Sequence, residues 1–164
     1  DQITMNLGRF SPEMYSGRTK MLLRAEPDLL KNSILLMGQR KADMEAIIKE
    51  LKTMFDHLPS STPILILVMP HCVQLGGPYL ERFRNLGAKL DAAKEITQLE
   101  YPFLNLLTEQ LGNDRIQVLN ALEWLSTDES TKFYYPNDPH LAPAGQRLVG
   151  DSLLTILAPL LNLN

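Results

Sequence analysis

A carboxylate and an imidazole lie two residues apart, at Asp138 and His140, in a loop bounded by prolines. On a turn, an aspartate can hydrogen-bond one ring nitrogen of a histidine, fix its tautomer and leave the other nitrogen as a base. Such a pair is half of a nucleophilic catalytic apparatus; the other half is a reactive serine or cysteine. The alternative is structural, because Asn137-Asp138-Pro139 is good turn chemistry and His140 then is an ordinary surface histidine.

A second histidine is adjacent to the single cysteine, at His71 and Cys72, directly after an apolar run. A thiol nucleophile and its base must lie within hydrogen-bond reach, and the side chains of adjacent residues usually diverge. We therefore expect a strand-end histidine and a buried cysteine that acts as a small hydrophobe. The third histidine, His57, falls at the end of an amphipathic helix, where its charge is favourable.

The composition predicts one globular domain without a metal or cofactor site. The chain has 164 residues, of which 45% are hydrophobic and 21% charged, enough for a hydrophobic core. Its net charge of -3 argues against a nucleic-acid partner. One cysteine cannot form an internal disulfide, and no Cys/His spacing is typical of a metal site. No apolar run approaches the ~18–20 residues that span a bilayer.

The order of the predicted elements indicates a layered α/β fold with βαβ crossovers. Residues 1–30 lack a clear period and are predicted to be an irregular wrapping or inserted segment; residues 31–164 form the α/β domain. Residues 33–38 fit either a short strand or a helix end. The remaining predictions are helices at 41–58, 79–95, 101–111 and 141–161, strands at 64–69 and 116–119, and mostly loop at 120–134.

The strand predicted at residues 64–69 is apolar at every position, which is typical of a central parallel strand with both faces buried. Ligands of open α/β sheets bind beyond the carboxyl ends of the strands. His71 follows this strand, and the Asp138–His140 loop lies beyond the next one. We therefore expect both loops at the same edge of the sheet.

The segment from Tyr134 to Leu154 resembles the last conserved block of the SGNH (GDSL-type) hydrolase superfamily, with Asp138, His140, Pro143 and Gly145 in the matching places. The resemblance extends in order and layout over residues 41–161. It implies a flavodoxin-like three-layer sandwich with a short parallel sheet. It also implies an ester hydrolase or acyl transferase without a cofactor, acting on an O-acetyl sugar or lipid ester in a periplasmic or secreted location. The resemblance further implies that His140 is the base of this reaction and that Asp138 orients it.

Three features depart from that family pattern. The spacing is Asp-x-His rather than Asp-x-x-His, which resembles the members that acetylate polysaccharides. No Gly-Asp-Ser block follows the first strand, and only Gly38-Gln39-Arg40 matches the position of the oxyanion-hole block. Because the chain starts at Asp1, we expect the nucleophile on an N-terminal remainder or a partner chain. The alternative is a non-catalytic binding or assembly module on the same scaffold.

The letters Gly-Asp-Ser do occur, at residues 150–152, but inside the last predicted helix. A nucleophilic serine needs a sharp turn after a strand. Ser152 falls instead on the apolar stripe of a helix, so we interpret this match as a coincidence.

Overall fold

The structure is a computed structural model that describes residues 9–160. Its helices are α1 Gly17–Ala25, α2 Leu29–Ile34, α3 Arg40–Asp56, α4 Gly77–Asn85, α5 Ala93–Ile96, α6 Pro102–Leu111, α7 Ala121–Leu125 and α8 Pro143–Leu160. Its strands are β1 Ile64–Val68 and β2 Ile116–Asn120, and short 3-10 turns cover Pro12–Met14, Cys72–Leu75 and Ser130–Lys132. No helix in this part of the chain is long and apolar enough to cross a bilayer.

The two strands form a parallel pair, as the sequence predicts for a small α/β fold. Ile64 lies opposite Ile116, and the register runs without a bulge to Val68 opposite Asn120. Helix α6 packs against β2, helix α3 packs against α6, and α7 contacts both β1 and α8. Parallel strands joined through helices bring their carboxyl ends to one edge of the sheet.

The burial of β1 is less complete than predicted. Only Val68 is buried, whereas Ile64, Leu65, Ile66 and Leu67 are half-buried. The reason is that, among the described residues, β1 pairs on one side only, with β2. A strand with one neighbour keeps part of its side-chain and backbone surface open.

Two predicted elements differ in the structure because of local backbone chemistry. The helix predicted at 79–95 ends at Asn85, since Gly87 adopts a φ of +107°, and only a short helix resumes at Ala93. The stretch predicted as loop at 120–134 begins with helix α7. Its first turn is capped by Asn120, whose side-chain oxygen accepts a hydrogen bond from the Leu122 N–H at 3.1 Å.

The N-terminal region is more regular than predicted. Helix α1 forms because the Ser16 hydroxyl accepts a hydrogen bond from the Thr19 N–H at 3.1 Å, an N-terminal cap. Tyr15 and Leu23 are buried in the same core as the sheet and its helices. Residues 33–38 contain the end of α2 and a turn through Leu36 rather than a strand. The predictions for residues 1–8 and Leu161 lie outside the described residues.

Candidate functional site

The loops that follow β1 and β2 lie at the same end of the sheet, as predicted. The Tyr134 hydroxyl donates a hydrogen bond to the carbonyl of Pro70, directly after β1. The Tyr79 hydroxyl accepts a hydrogen bond from the Tyr134 N–H at 3.2 Å, and the two rings pack edge to face. Buried aromatic side chains therefore fix the start of the Asp138–His140 loop to the end of β1.

The Asp138–His140 loop is closed at its base like a short hairpin. Tyr134 and Leu141 form an antiparallel bridge. Above it, the Tyr135 N–H donates to the His140 carbonyl at 3.1 Å; below it, the Ala142 N–H donates to the Phe133 carbonyl at 2.8 Å. These backbone bonds restrict the path of the loop, so the positions of Asp138 and His140 do not depend on their own side chains alone.

Asn137, which the sequence analysis did not single out as a site residue, ties the loop to the N-terminal segment. This residue is 3% exposed. The amide oxygen accepts from the Ser11 N–H at 2.8 Å, and the amide nitrogen donates to the Arg9 carbonyl at 3.2 Å. A buried amide with both ends bonded is a specific cross-link. In the sequence, the sign of this cross-link was an asparagine directly before the candidate Asp138.

Asp138 and His140 are brought together in the way that the sequence predicts. Oxygen Oδ1 of Asp138 hydrogen-bonds His140 Nδ1, and the same oxygen accepts from the His140 backbone N–H at 2.9 Å. The aspartate thus closes the turn and orients the ring in one geometry, so the turn chemistry expected of Asn137-Asp138-Pro139 and the expected contact with His140 occur together. The side chain of Asp138 is 26% exposed and that of His140 is 82% exposed.

This arrangement favours the proton on Nδ1 of His140, because a carboxylate oxygen can only accept a hydrogen bond. The other ring nitrogen, Nε2, then carries a lone pair. Among the described residues, Nε2 makes no hydrogen bond. An exposed side-chain contact of this kind contributes little to stability, so we interpret it as one that orients the ring.

Helix α8 starts directly after the loop and needs a glycine there. A Cβ on Gly145 would lie 2.5 Å from the Phe133 carbonyl oxygen and 2.8 Å from Leu141 Cδ2. The first turn of α8 can therefore approach the two strands of the loop base only because this residue has no side chain. Pro143 at the first position of the helix is pre-organised for a helix start.

The His71–Cys72 couple has a different character. The side chains do not diverge as expected: Cys72 Sγ lies 3.7 Å from His71 Nδ1. Cys72 is 1% exposed, and burial raises the pKa of its thiol to about 12. Burial also lowers the pKa of His71 to about 4. Both groups are consequently neutral near pH 7, and a thiolate nucleophile is disfavoured here.

His71 has a structural role that its position explains. Its Nδ1 accepts a hydrogen bond from the Val73 N–H at 3.3 Å, while the Gln74 side chain accepts from the His71 N–H at 3.0 Å. This is a reciprocal cap on the 3-10 turn of Cys72–Leu75. The tautomer at His71, with Nδ1 as an acceptor, is the opposite of the one favoured at His140.

No nucleophile is placed at His140 by the described residues. Ser152 lies within α8, nine residues past Pro143, which corresponds to roughly 14 Å along the helix axis. Its hydroxyl is on a regular helix and not on a strand-to-helix turn, which agrees with a chance match of letters. Gly38 has a φ of +57° in the turn between α2 and α3; no contact with the Asp138–His140 loop places it in an oxyanion hole.

Among the described residues, cavities lie at the carboxyl end of β1 and along β2. A small one of about 160 Å³ is at the carboxyl end of β1 and is lined by Ser33, Ile34, Val68, Met69, His71, Gln74, Tyr101 and Phe103. A larger open cleft of about 520 Å³ runs along β2, where Trp124 and Glu123 are among its lining residues. Residues 9–160 hold no group of three or more His, Cys, Asp or Glu side chains arranged for a metal ion.

Comparisons with protein-family models, with curated proteins and with solved structures find no significant match to this chain.

Proposed function

We propose that this chain is the Asp–His part of an SGNH-type ester hydrolase or acyl transferase with a flavodoxin-like sandwich. The observation that carries the proposal is the contact of Asp138 Oδ1 with His140 Nδ1 on a loop closed by backbone bonds. It leaves Nε2 of an 82% exposed histidine available to a substrate or nucleophile. The resemblance of residues 134–154 to the family's last block supports the same conclusion.

The proposed mechanism uses His140 as a general base and then as a general acid. Nε2 takes the proton of a serine hydroxyl while the serine oxygen attacks the ester carbonyl. The protonated ring then gives that proton to the leaving alkoxide. Asp138 keeps the ring in the required tautomer and stabilises the imidazolium in between. The serine is supplied by a segment outside this sequence, on an N-terminal remainder or a partner chain.

The substrate proposed is a carboxylic ester with a short acyl group, such as an O-acetyl sugar, and the alternative is a lipid ester with a long acyl chain. The cavity at the carboxyl end of β1 has only about 160 Å³, below the 300–1,000 Å³ common for drug-sized ligands. It adjoins His71, one residue past the Pro70 carbonyl that Tyr134 binds. A small, mainly apolar space at this edge supports a short acyl group over a long chain.

The test is ester hydrolysis by the natural full-length protein with p-nitrophenyl acetate as substrate. His140→Ala should lower kcat/KM by about 10³-fold or more, because both proton transfers are lost. His57→Ala is the matched control, because the ring of this exposed histidine hydrogen-bonds the Thr53 carbonyl of the preceding helix through Nδ1. Full activity in His140→Ala would disprove the assignment.

A second candidate is a non-catalytic binding or assembly module. One observation favours it: within residues 9–160, no serine or cysteine side chain hydrogen-bonds His140. A serine-reactive phosphonate separates the two candidates. Labelling of the natural product that disappears in His140→Ala supports the hydrolase, and absence of labelling supports the module. Activity that appears only on mixing two polypeptides would place the serine on a partner chain.

A further inference from the structure

The cavity at the carboxyl end of β1 is lined by a buried amide whose donor end is not used within the described chain. Gln74 lines this cavity and is 4% exposed. Its Oε1 accepts the His71 N–H at 3.0 Å, which establishes which end of the amide is the oxygen. Among residues 9–160, Nε2 of Gln74 has no hydrogen-bond partner. Leaving a buried N–H without an acceptor is costly, so this group is suited to an acceptor from outside the chain.

The neighbouring Tyr101 does not take up this donor. Its ring lines the same cavity. Burial raises the pKa of the Tyr101 hydroxyl, and the nearby Gln74 side chain lowers it by a smaller amount. The two groups are therefore close, but they do not reach hydrogen-bond geometry, since Nε2 is without a partner in the part of the chain that the structure describes.

His71 lines the cavity as well and carries a second unused donor. Its Nδ1 accepts the Val73 N–H at 3.3 Å, so the neutral ring has its proton on Nε2. The ring is neutral near pH 7, because burial lowers the pKa of His71 to about 4. Within the described residues, Nε2 of His71 makes no hydrogen bond. The reciprocal cap between His71 and Gln74 holds both donors in place.

The rest of the lining favours a small and uncharged molecule. The volume of about 160 Å³ is similar to that of a cavity that holds benzene, a molecule of about six non-hydrogen atoms. None of the described residues that line it is a lysine, arginine, aspartate or glutamate. A charged ligand would therefore lose its hydration without gaining a counter-ion. Apolar contacts come from Ile34, Val68, Met69 and Phe103.

We propose that this cavity binds a small uncharged carbonyl compound, whose oxygen accepts hydrogen bonds from Gln74 Nε2 and His71 Nε2. A carbonyl oxygen has two lone pairs and can accept both bonds. The alkyl groups on either side of the carbonyl carbon then pack against the apolar lining. Ketones and esters share this chemistry.

One part of the inference rests on the proposed function: the bound carbonyl is then that of the short acyl group of the ester. His71 is one residue past Pro70, whose carbonyl binds the Tyr134 hydroxyl at the base of the Asp138–His140 loop. Binding itself requires Gln74 and His71 and does not require His140. The carbonyl site and the proposed function can consequently fail separately.

The experiment follows the binding of 3-pentanone to the 164-residue chain by NMR. An esterase cannot hydrolyse this ketone, and its matched control is 2-ethyl-1-butene, in which a methylene group replaces the oxygen. We expect a saturable downfield shift of the Gln74 side-chain amide protons with the ketone, because they gain an acceptor, and none with the alkene. Absence of a saturable shift at Gln74, or the same downfield shift with the alkene, overturns the proposal.

A variant isolates the donor from the shape of the cavity. Gln74→Met keeps the length of the side chain but has no N–H. It should weaken 3-pentanone binding by about tenfold and change alkene binding by less than about twofold. Gln110→Met, the same replacement at an exposed glutamine of α6, is the matched control and should leave both affinities unchanged. Equal ketone affinity in Gln74→Met and the parent chain overturns the proposal. If Gln74→Met does not fold, the amide shifts of the parent chain decide.

Two further comparisons test the charge of the ligand and the link to catalysis. Butanoate should bind at least about tenfold more weakly than 3-pentanone at pH 7, and equal binding would overturn an uncharged-ligand site. Ketone binding together with full activity in His140→Ala would retain the carbonyl site and disprove the proposed function. Loss of activity in His140→Ala without ketone binding to the parent chain would do the opposite.

Discussion

His140 and His71 lie on two loops at the same end of the sheet, and each has an acidic or thiol side chain beside it. His140 is exposed and its Nδ1 contacts a carboxylate. His71 is half-buried, its Nδ1 accepts from a backbone N–H, and its neighbour Cys72 is fully buried. The two histidines therefore have similar neighbours in the sequence, whereas the partner of Nδ1 and the solvent exposure of the ring differ.

The difference teaches which local feature makes a histidine usable as a base. A carboxylate on Nδ1 holds the proton there and frees Nε2, while a backbone donor on Nδ1 uses up the lone pair at that position. Burial around Cys72 keeps the thiol neutral, so the nearby ring has no thiolate to generate. The Asp138 loop therefore leaves Nε2 of an exposed histidine accessible, whereas the ring of His71 is used in a structural hydrogen bond to the Val73 N–H.

The largest expected difference in activity is between a variant that removes the carboxylate beside His140 and one that removes the thiol beside His71. Asp138→Asn should lower kcat/KM of the full-length protein for p-nitrophenyl acetate by about 10³–10⁴-fold, because an amide can present a donor to Nδ1 and so favour the wrong tautomer. Cys72→Ala should change kcat/KM by less than about twofold, since the thiol takes no part. Equal losses in the two variants would remove the distinction between the regions.

A smaller effect is expected from the packing that supports the first region. Gly145→Ala should destabilise the chain by about 1–3 kcal/mol, because the added Cβ overlaps the Phe133 carbonyl oxygen at 2.5 Å. Gly150→Ala, in the same helix, has no heavy atom within 4 Å of the added Cβ and should stabilise by about 0.5–1 kcal/mol. Urea unfolding followed by circular dichroism gives both values. If the free energy of unfolding rose in both variants or fell in both, the close approach of α8 to the loop would be contradicted.

In the second region, the buried His71 should make the free energy of unfolding depend on pH. In the folded chain the pKa of His71 is lowered to about 4, against about 6.5 in the unfolded chain. Between these values the unfolded state binds more protons, so stability is full above pH 6.5 and falls as the pH falls toward 4. His71→Asn, which keeps a side-chain acceptor for the Val73 N–H, should remove roughly 2 kcal/mol of that fall.

The control for this titration is the exposed His57, where His57→Asn should leave the slope between pH 6.5 and 4 unchanged. Free energies of unfolding from urea titrations at several pH values provide the comparison. A His71→Asn slope identical to that of the parent chain would show that the buried ring does not titrate in this way.

The fold elements that the sequence predicted well are those with strong local signals. Apolar residues at helical spacing between Met44 and Leu58 predicted the helix observed as α3, and the apolar run at residues 64–69 predicted the strand observed as β1. The break at Gly87 and the helix α7 were missed, because they depend on a positive φ and on one capping asparagine. The half-exposure of β1 was not predictable, since it depends on which neighbours a strand has.

The sequence predicted which residues form the candidate site, but not the hydrogen bonds that hold its loop in place. Asp138 and His140 are close in sequence, so their contact follows from a local turn. The bond of Tyr134 to Pro70 joins residues 64 positions apart, and the bonds of Asn137 reach to Ser11 and Arg9 across more than 120 positions. Long-range contacts of this kind leave no periodic signal in one sequence.

The tautomer of His140 tests the central claim most directly, and it can be measured on this chain alone. Ring ¹⁵N chemical shifts at about pH 9, where an unperturbed imidazole is neutral, distinguish a proton on Nδ1 from one on Nε2. We predict Nδ1–H at His140, Nε2–H at His71, and loss of the Nδ1–H preference at His140 in Asp138→Asn. An Nε2–H tautomer at His140, or a shift pattern unchanged by Asp138→Asn, would contradict the account.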